Sequence, residues 1–179
     1  MYKLLSIIPL WLLTSYTIAQ STHAEIKSQL KRLEVLIGDW NITTENISHS
    51  SIKSEETGTY AIYWALDSTY IVREGSLTNS TSNRTRSFIS WLTYDTERQK
   101  FKMVFFYDRR STQIIEYGSI EDSMKFVTYT SFGIGNGVTE HIRHVLDLRN
   151  PDLIDSRAWI RLDNAEEANT FSAVWARKH

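Results

Sequence analysis

Between Asp39 and Arg177 the chain divides into ten short runs of strand-forming residues, and no gap between them is long enough for a crossover helix. A parallel pair of strands needs a connection of a dozen or more residues, so these runs pair antiparallel with their sequence neighbours. They are read as Asp39–Ile47, Thr57–Leu66, Thr69–Leu77, Thr85–Tyr94, Gln99–Tyr107, Thr112–Ser119, Met124–Phe132, Val138–Leu148, Leu153–Leu162 and Thr170–Arg177. Asp67-Ser68, Asp95-Thr96-Glu97, Glu121-Asp122, Asn136-Gly137 and Asn150-Pro151 fall between them, all residue types that suit tight turns. The polar stretch Ser76–Ser87 reads as a mobile loop. An open sheet of ten strands would expose two unpaired edges, and closing it into a barrel removes both. The short sequential hairpins favour this up-and-down barrel over a two-sheet sandwich.

Composition agrees with an all-β class. Six Trp and nine Tyr stand beside only two Pro and seven Gly, and aromatic side chains suit a half-buried pleated surface. At 179 residues, 41% of them hydrophobic, the chain has material for one domain with a sizeable core. Ahead of the strands, Thr22 and Glu25 have the spacing of a capping box, and Ile26, Leu30, Leu33 and Ile37 recur at helical spacing. Gly38 stands where an αL cap would end that helix. A helix this short needs a surface for its apolar stripe, and one end of the barrel supplies it.

Residues 1–19 read as a cleavable signal peptide, with Lys3, the apolar run Leu4–Leu13 and a small-residue cleavage site at Thr17-Ile18-Ala19. Ser6 and Pro9 interrupt that run, and it is shorter than the ~20 apolar residues that span a bilayer. The mature unit is then residues 20–179, a single secreted or periplasmic domain with no membrane span after cleavage. There is no cysteine, so neither disulfides nor a lipid-anchored thiol can hold it. That absence suits a bacterial periplasmic or released protein, in which the sequons at Asn41, Asn46, Asn79 and Asn83 would carry no glycan. A formal net charge of −1 without a long run of one sign argues against nucleic acid and anionic membrane surfaces as partners.

Leu33-x-x-Leu36-x-Gly38-x-Trp40 resembles the opening of the first strand in lipocalin-like, or calycin, barrels, where Gly-x-Trp follows a short helix. Trp64, Tyr70–Gly75, Tyr94-Asp95, and Asp108 with Ser111-Thr112 ahead of Tyr117-Gly118 are similar to a bacterial branch of that superfamily whose function is unknown. The similarity runs from Leu30 to Arg177. It implies a ten-stranded barrel with a central pocket, capped at one end by the N-terminal helix, and it supplies no catalytic residue. It also implies an arginine from the last strand over the opening tryptophan, a place only Arg177 can fill, in a stack worth ~0.5 to 2 kcal/mol. Haem-binding members open with Gly-x-Trp-x-Gly, and here Trp40-Asn41-Ile42-Thr43 lacks the second glycine. No cofactor is expected.

Alternation selects the interior. Phe101, Met103, Phe105 and Tyr107 share one face of their strand while Lys100 and Lys102 share the other, and Tyr60, Ile62, Trp64 and Leu66 point inward by the same argument. An aromatic lining with a methionine suits a small hydrophobic or amphipathic ligand, unless these side chains simply fill the barrel. Glu140 and His144 lie on the face set by Ile142, Leu146 and Leu148, where they either anchor a ligand from inside or sit half-solvated at the mouth. Arg86 would suit a ligand carboxylate, but apolar residues on both faces of its strand leave its direction open. The candidate binding residues are therefore Tyr60, Trp64, Arg86, Phe101, Met103, Phe105, Tyr107, Glu140 and His144.

Other chemistries find less support. His141 and His144 are three apart on a strand and face opposite sides, so they cannot chelate one metal. Gly133-Ile134-Gly135-Asn136-Gly137 lacks the following helix that a phosphate loop needs, and no Gly-x-Ser-x-Gly elbow is present. The expected function is non-covalent binding of a small apolar molecule. Its rivals are an isomerase or cyclase using Glu140 and His144 as acid and base, and a packed barrel that docks a partner protein through an exposed patch near Ile89 and Trp91.

Overall fold

The computed structural model describes residues 22–47, 53–108, 113–121, 124–163, 165 and 168–179. Residues 1–19, read above as a signal peptide, lie outside the described residues, as do Ser111 and Thr112. A helix over residues 22–31, α1, leads into a single 3₁₀ turn at Glu34–Leu36. Ten strands follow: β1 (Gly38–Ile47), β2 (Lys53–Ala65), β3 (Tyr70–Asn79), β4 (Thr85–Asp95), β5 (Lys100–Tyr107), β6 (Ile114–Glu121), β7 (Lys125–Gly135), β8 (Val138–Asp147), β9 (Leu153–Leu162) and β10 (Ala168–Arg177). Each pairs antiparallel with its predecessor, and β10 returns to β1 in the register Trp40↔Arg177, so the meander closes into a barrel without edges.

One end of the barrel is plugged. Leu30, Leu33 and Leu36 are buried from the helical segment against Trp40, Ile62, Ile71, Leu92, Phe126 and Leu148. Burying each leucine contributes roughly 1.5–3 kcal/mol, enough to hold a helix that could not stand alone. The plug is tied to the turns at that end, with Lys27 Nζ donating to Asp67 at 2.6 Å and Gln99 donating to Glu25 at 3.2 Å. Trp40 is fully buried and its indole N–H donates to the Leu36 carbonyl at 2.9 Å. Arg177 lies over the Trp40 ring, 4.3 Å from its centroid, and donates to the carbonyls of Val35, Ile37 and Pro151 at 2.7 Å each.

Gly38 does not cap α1. The helix has already ended at residue 31, and Gly38 instead opens β1 at φ +137°, where a Cβ would stand 2.4 Å from the Arg177 guanidinium. The glycine is there so that Arg177 can reach the carbonyls beneath it. Leu66, assigned above to the inward face of its strand, is 73% exposed. It has φ +47° and belongs to the β2–β3 turn, where strand alternation no longer applies. Ser76–Ser87 is not a loop either, because β3 continues to Asn79, β4 starts at Thr85, and the Asn79 side chain closes the turn by accepting from the N–H groups of Thr81 and Ser82. On the outer wall Trp91 and Phe106 are both exposed, with ring centroids 5.7 Å apart.

Candidate functional site

Above the plug the barrel is not filled. A cavity of about 300 Å³ opens toward the end opposite α1. Its upper wall is formed by Leu77, Phe88, Tyr107, Ile142, Ala158, Ile160, Thr170 and Phe171, with Arg86 among them. Its floor is polar and comes from the middle of the strands: Arg73 on β3, Glu116 on β6, His144 on β8 and Ser156 on β9, beside Tyr60, Phe105 and Trp175.

Arg73 organises that floor. It shares a face of β3 with Ile71 and Leu77, so a strand that buries those two apolar side chains must carry the guanidinium inside with them. The guanidinium carbon lies 5.0 Å from the Phe105 ring centroid, 5.2 Å from Phe88, 5.3 Å from Tyr60 and 5.4 Å from Trp175. Such contacts are worth ~2 kcal/mol when desolvated, against a cost of several kcal/mol for removing an ion from water. Its Nε donates to Ser90 Oγ at 3.3 Å. Gly75, also facing inward, leaves the space the cage needs, since a Cβ there would stand 2.5 Å from the Tyr60 ring and 3.2 Å from Phe88. Those two rings meet edge to face at 5.1 Å.

The remaining floor groups are also paired and shifted. His144 Nε2 and Ser156 Oγ are 2.8 Å apart. Burial, helped by the Arg73 charge, lowers the His144 pKa to about 3, so the imidazole is neutral. Thr128 donates to Glu116 at 2.5 Å, yet burial outweighs that bond and the Arg73 charge and raises the Glu116 pKa above its ordinary value. Burial likewise raises the Tyr60 phenol, which keeps its proton. Nearer the mouth, Arg86 is ion-paired with Glu56. Buried polar atoms that have no hydrogen-bond partner among the described residues include Arg86 Nε, Thr170 Oγ1 and Trp175 Nε1, all on residues that line the cavity.

Of the residues selected from the sequence, Tyr60, Arg86, Phe105, Tyr107 and His144 line this cavity. Trp64, Phe101, Met103 and Glu140 do not. Trp64 and Phe101 face inward at the plugged end, where Phe101 packs on Tyr94 at 5.3 Å and on Phe126 at 5.4 Å. Met103 borders a separate void of about 20 Å³ under the plug. Glu140 lies one inward position beyond Ile142 toward the open rim, paired with Phe132 and Leu162. Alternation assigns a face and not a depth, which is why residues from all levels of the barrel were grouped. Arg73, Glu116 and Trp175 were missed. The parity of Ile71 and Leu77 marks Arg73 as inward, and the alternation through Ile114, Glu116, Gly118 and Ile120 marks Glu116 in the same way.

The family model for a protein of unknown function, DUF1579, matches residues 25–177. The chain belongs to that family. Solved structures similar to this DUF1579 barrel include the S-type phycobiliprotein lyase CPES of Guillardia theta, at TM-score 0.57 and 12% identity over 82% of this chain and 90% of that one. Rv2717c of M. tuberculosis is similar at TM-score 0.61 and 13% identity, over 84% of this chain and 98% of that one. Both likenesses are of fold alone. No curated protein matches the chain.

Proposed function

We propose that this DUF1579 barrel binds a small apolar or amphipathic molecule non-covalently, and that it does so outside the cytoplasm after removal of residues 1–19. The observation that carries the reading is the cavity of about 300 Å³, walled by aromatic and aliphatic side chains with a few polar groups converging on its floor. This is the composition of a small-molecule site, at the lower end of the usual size range. Unpartnered polar atoms on Thr170 and Trp175 support it, because a ligand group could satisfy them.

Native mass spectrometry of protein isolated from its own cells, compared with the same sample after denaturation, tests the reading. A bound small molecule released on unfolding is the expected result. A clean unliganded mass, with nothing taken up from a panel of lipids and haem, would overturn it. Sequencing the mature N-terminus from a periplasmic or culture-medium fraction tests the location, with a start at Gln20 expected. The acid-base rival gains no support from Glu140, which lies off the cavity. The charge that acts on His144 is that of Arg73, and the cross-strand partner of His144, Thr128, donates to Glu116.

A further inference from the structure

A purely apolar ligand has no use for a buried cation on the floor of its cavity. Arg73 is 9% exposed, and its four contacting rings orient the guanidinium without neutralising it. Among the described residues no carboxylate forms an ion pair with it, in contrast to Arg86, which has Glu56. Beside it, Trp175 Nε1 is a buried donor without a partner among the described residues. A guanidinium with no carboxylate partner and a free indole N–H on one floor are complementary to a group that only accepts hydrogen bonds. On the rest of the floor His144 is occupied with Ser156, and Glu116, which feels the Arg73 charge without forming an ion pair with it, accepts from Thr128.

Building on the ligand-cavity reading, we infer that Arg73 within its aromatic cage is the anchor for an anionic head group, and that the cavity takes a small apolar monocarboxylate. Its body would lie along Leu77, Ile142, Ile160 and Phe171 toward the mouth. One cation within a fork of donors suits one planar carboxylate. The aliphatic and aromatic wall above it suits a short chain or a fused ring. Arg86, singled out from the sequence as the carboxylate partner, stands at the mouth, where its guanidinium is ion-paired with Glu56.

Isothermal titration of the mature protein with n-decanoate, n-decanol and n-decylamine separates head from body, and 1-naphthylacetate against 1-naphthaleneethanol does so for a flat body. The carboxylates are expected to bind at least ~10-fold tighter than their alcohols, the gain expected of a charge-assisted hydrogen bond, and the amine not at all. Arg73→Met should erase that preference, so that each carboxylate binds no tighter than its alcohol. If Arg73→Met does not fold, Arg73→Met/Glu116→Gln replaces the cation together with the carboxyl that feels its charge and answers the same question. Alcohols binding as tightly as carboxylates, or a preference that survives loss of Arg73, would overturn the inference and leave the cavity reading standing. Failure of every probe to bind would overturn both.

Discussion

At the scale of single residues, the interior chemistry of this barrel is set by a few polar side chains on otherwise apolar faces. His144 has a measurable consequence. Its folded pKa, about 3, lies below the ordinary 6.5, so as pH falls the unfolded chain takes up a proton that the native protein refuses. The stability present above about pH 6.5 is therefore lost progressively between there and pH 3. Urea midpoints measured from pH 7 to pH 4 should fall steeply for the native protein and less steeply for His144→Gln; parallel profiles would contradict a buried neutral imidazole. Gly75→Ala should cost about 1–3 kcal/mol, because the added methyl meets the Thr59 carbonyl and the Tyr60 ring, both at 2.5 Å. Thermal denaturation reads that loss, and a variant as stable as the native protein would show that the cage has room to spare. Arg73 and Glu116 were legible in principle from the parity of their apolar neighbours. They were passed over because a charged residue on a strand is by default taken as solvent-facing, and only closure of the barrel makes the inward position unavoidable.

Among elements, the joint between the N-terminal segment and the last strand carries the most weight. Arg177 joins the 3₁₀ turn, β1, β10 and the β8–β9 connection through carbonyls at Val35, Ile37 and Pro151, with Asp152 at 3.3 Å. Arg177→Ala should destabilise the protein by about 2–3 kcal/mol, since several partly buried carbonyls lose a charged donor at once. Arg177→Lys should recover little, because an ammonium lacks the planar fork that reaches three acceptors. Equilibrium unfolding in urea distinguishes these, and a full rescue by lysine would mean that charge alone matters. The existence of all ten strands was readable from the sequence, and so was the stack on Trp40 that the family resemblance implied. What the pattern misjudged were the junctions. Gly38 looks like a helix cap because both a cap and a close guanidinium contact require the same missing side chain, and Leu66 looks buried because periodicity cannot tell where a strand gives way to a turn.

For the whole molecule, the sequence conveyed closure and left the interior undecided. Ten sequential antiparallel runs without a crossover allow few arrangements, whereas the same inward list is compatible with a solid or a hollow barrel. The difference lies in level: large side chains such as Phe101, Met103 and Phe126 crowd the end under α1, while Gly75, Ala158 and Ser156 thin the middle and upper wall. Closure also fixes the folding problem, because β1 and β10 must find each other from opposite ends of the barrel sequence. Refolding after dilution from urea should accordingly take milliseconds to seconds rather than microseconds, as stopped-flow tryptophan fluorescence would show. A submillisecond single phase would point to a nucleus that forms before the seam between β1 and β10 closes.

That seam places both ends of the described barrel together. Lys178 N–H donates to the Asp39 carbonyl at 2.9 Å, and α1 covers the same rim. Whatever the protein is attached to through either end, be it a surface, a reporter or a tether, would therefore sit behind the plug. The mouth would face away from the attachment point, with free access for anything diffusing in from solution.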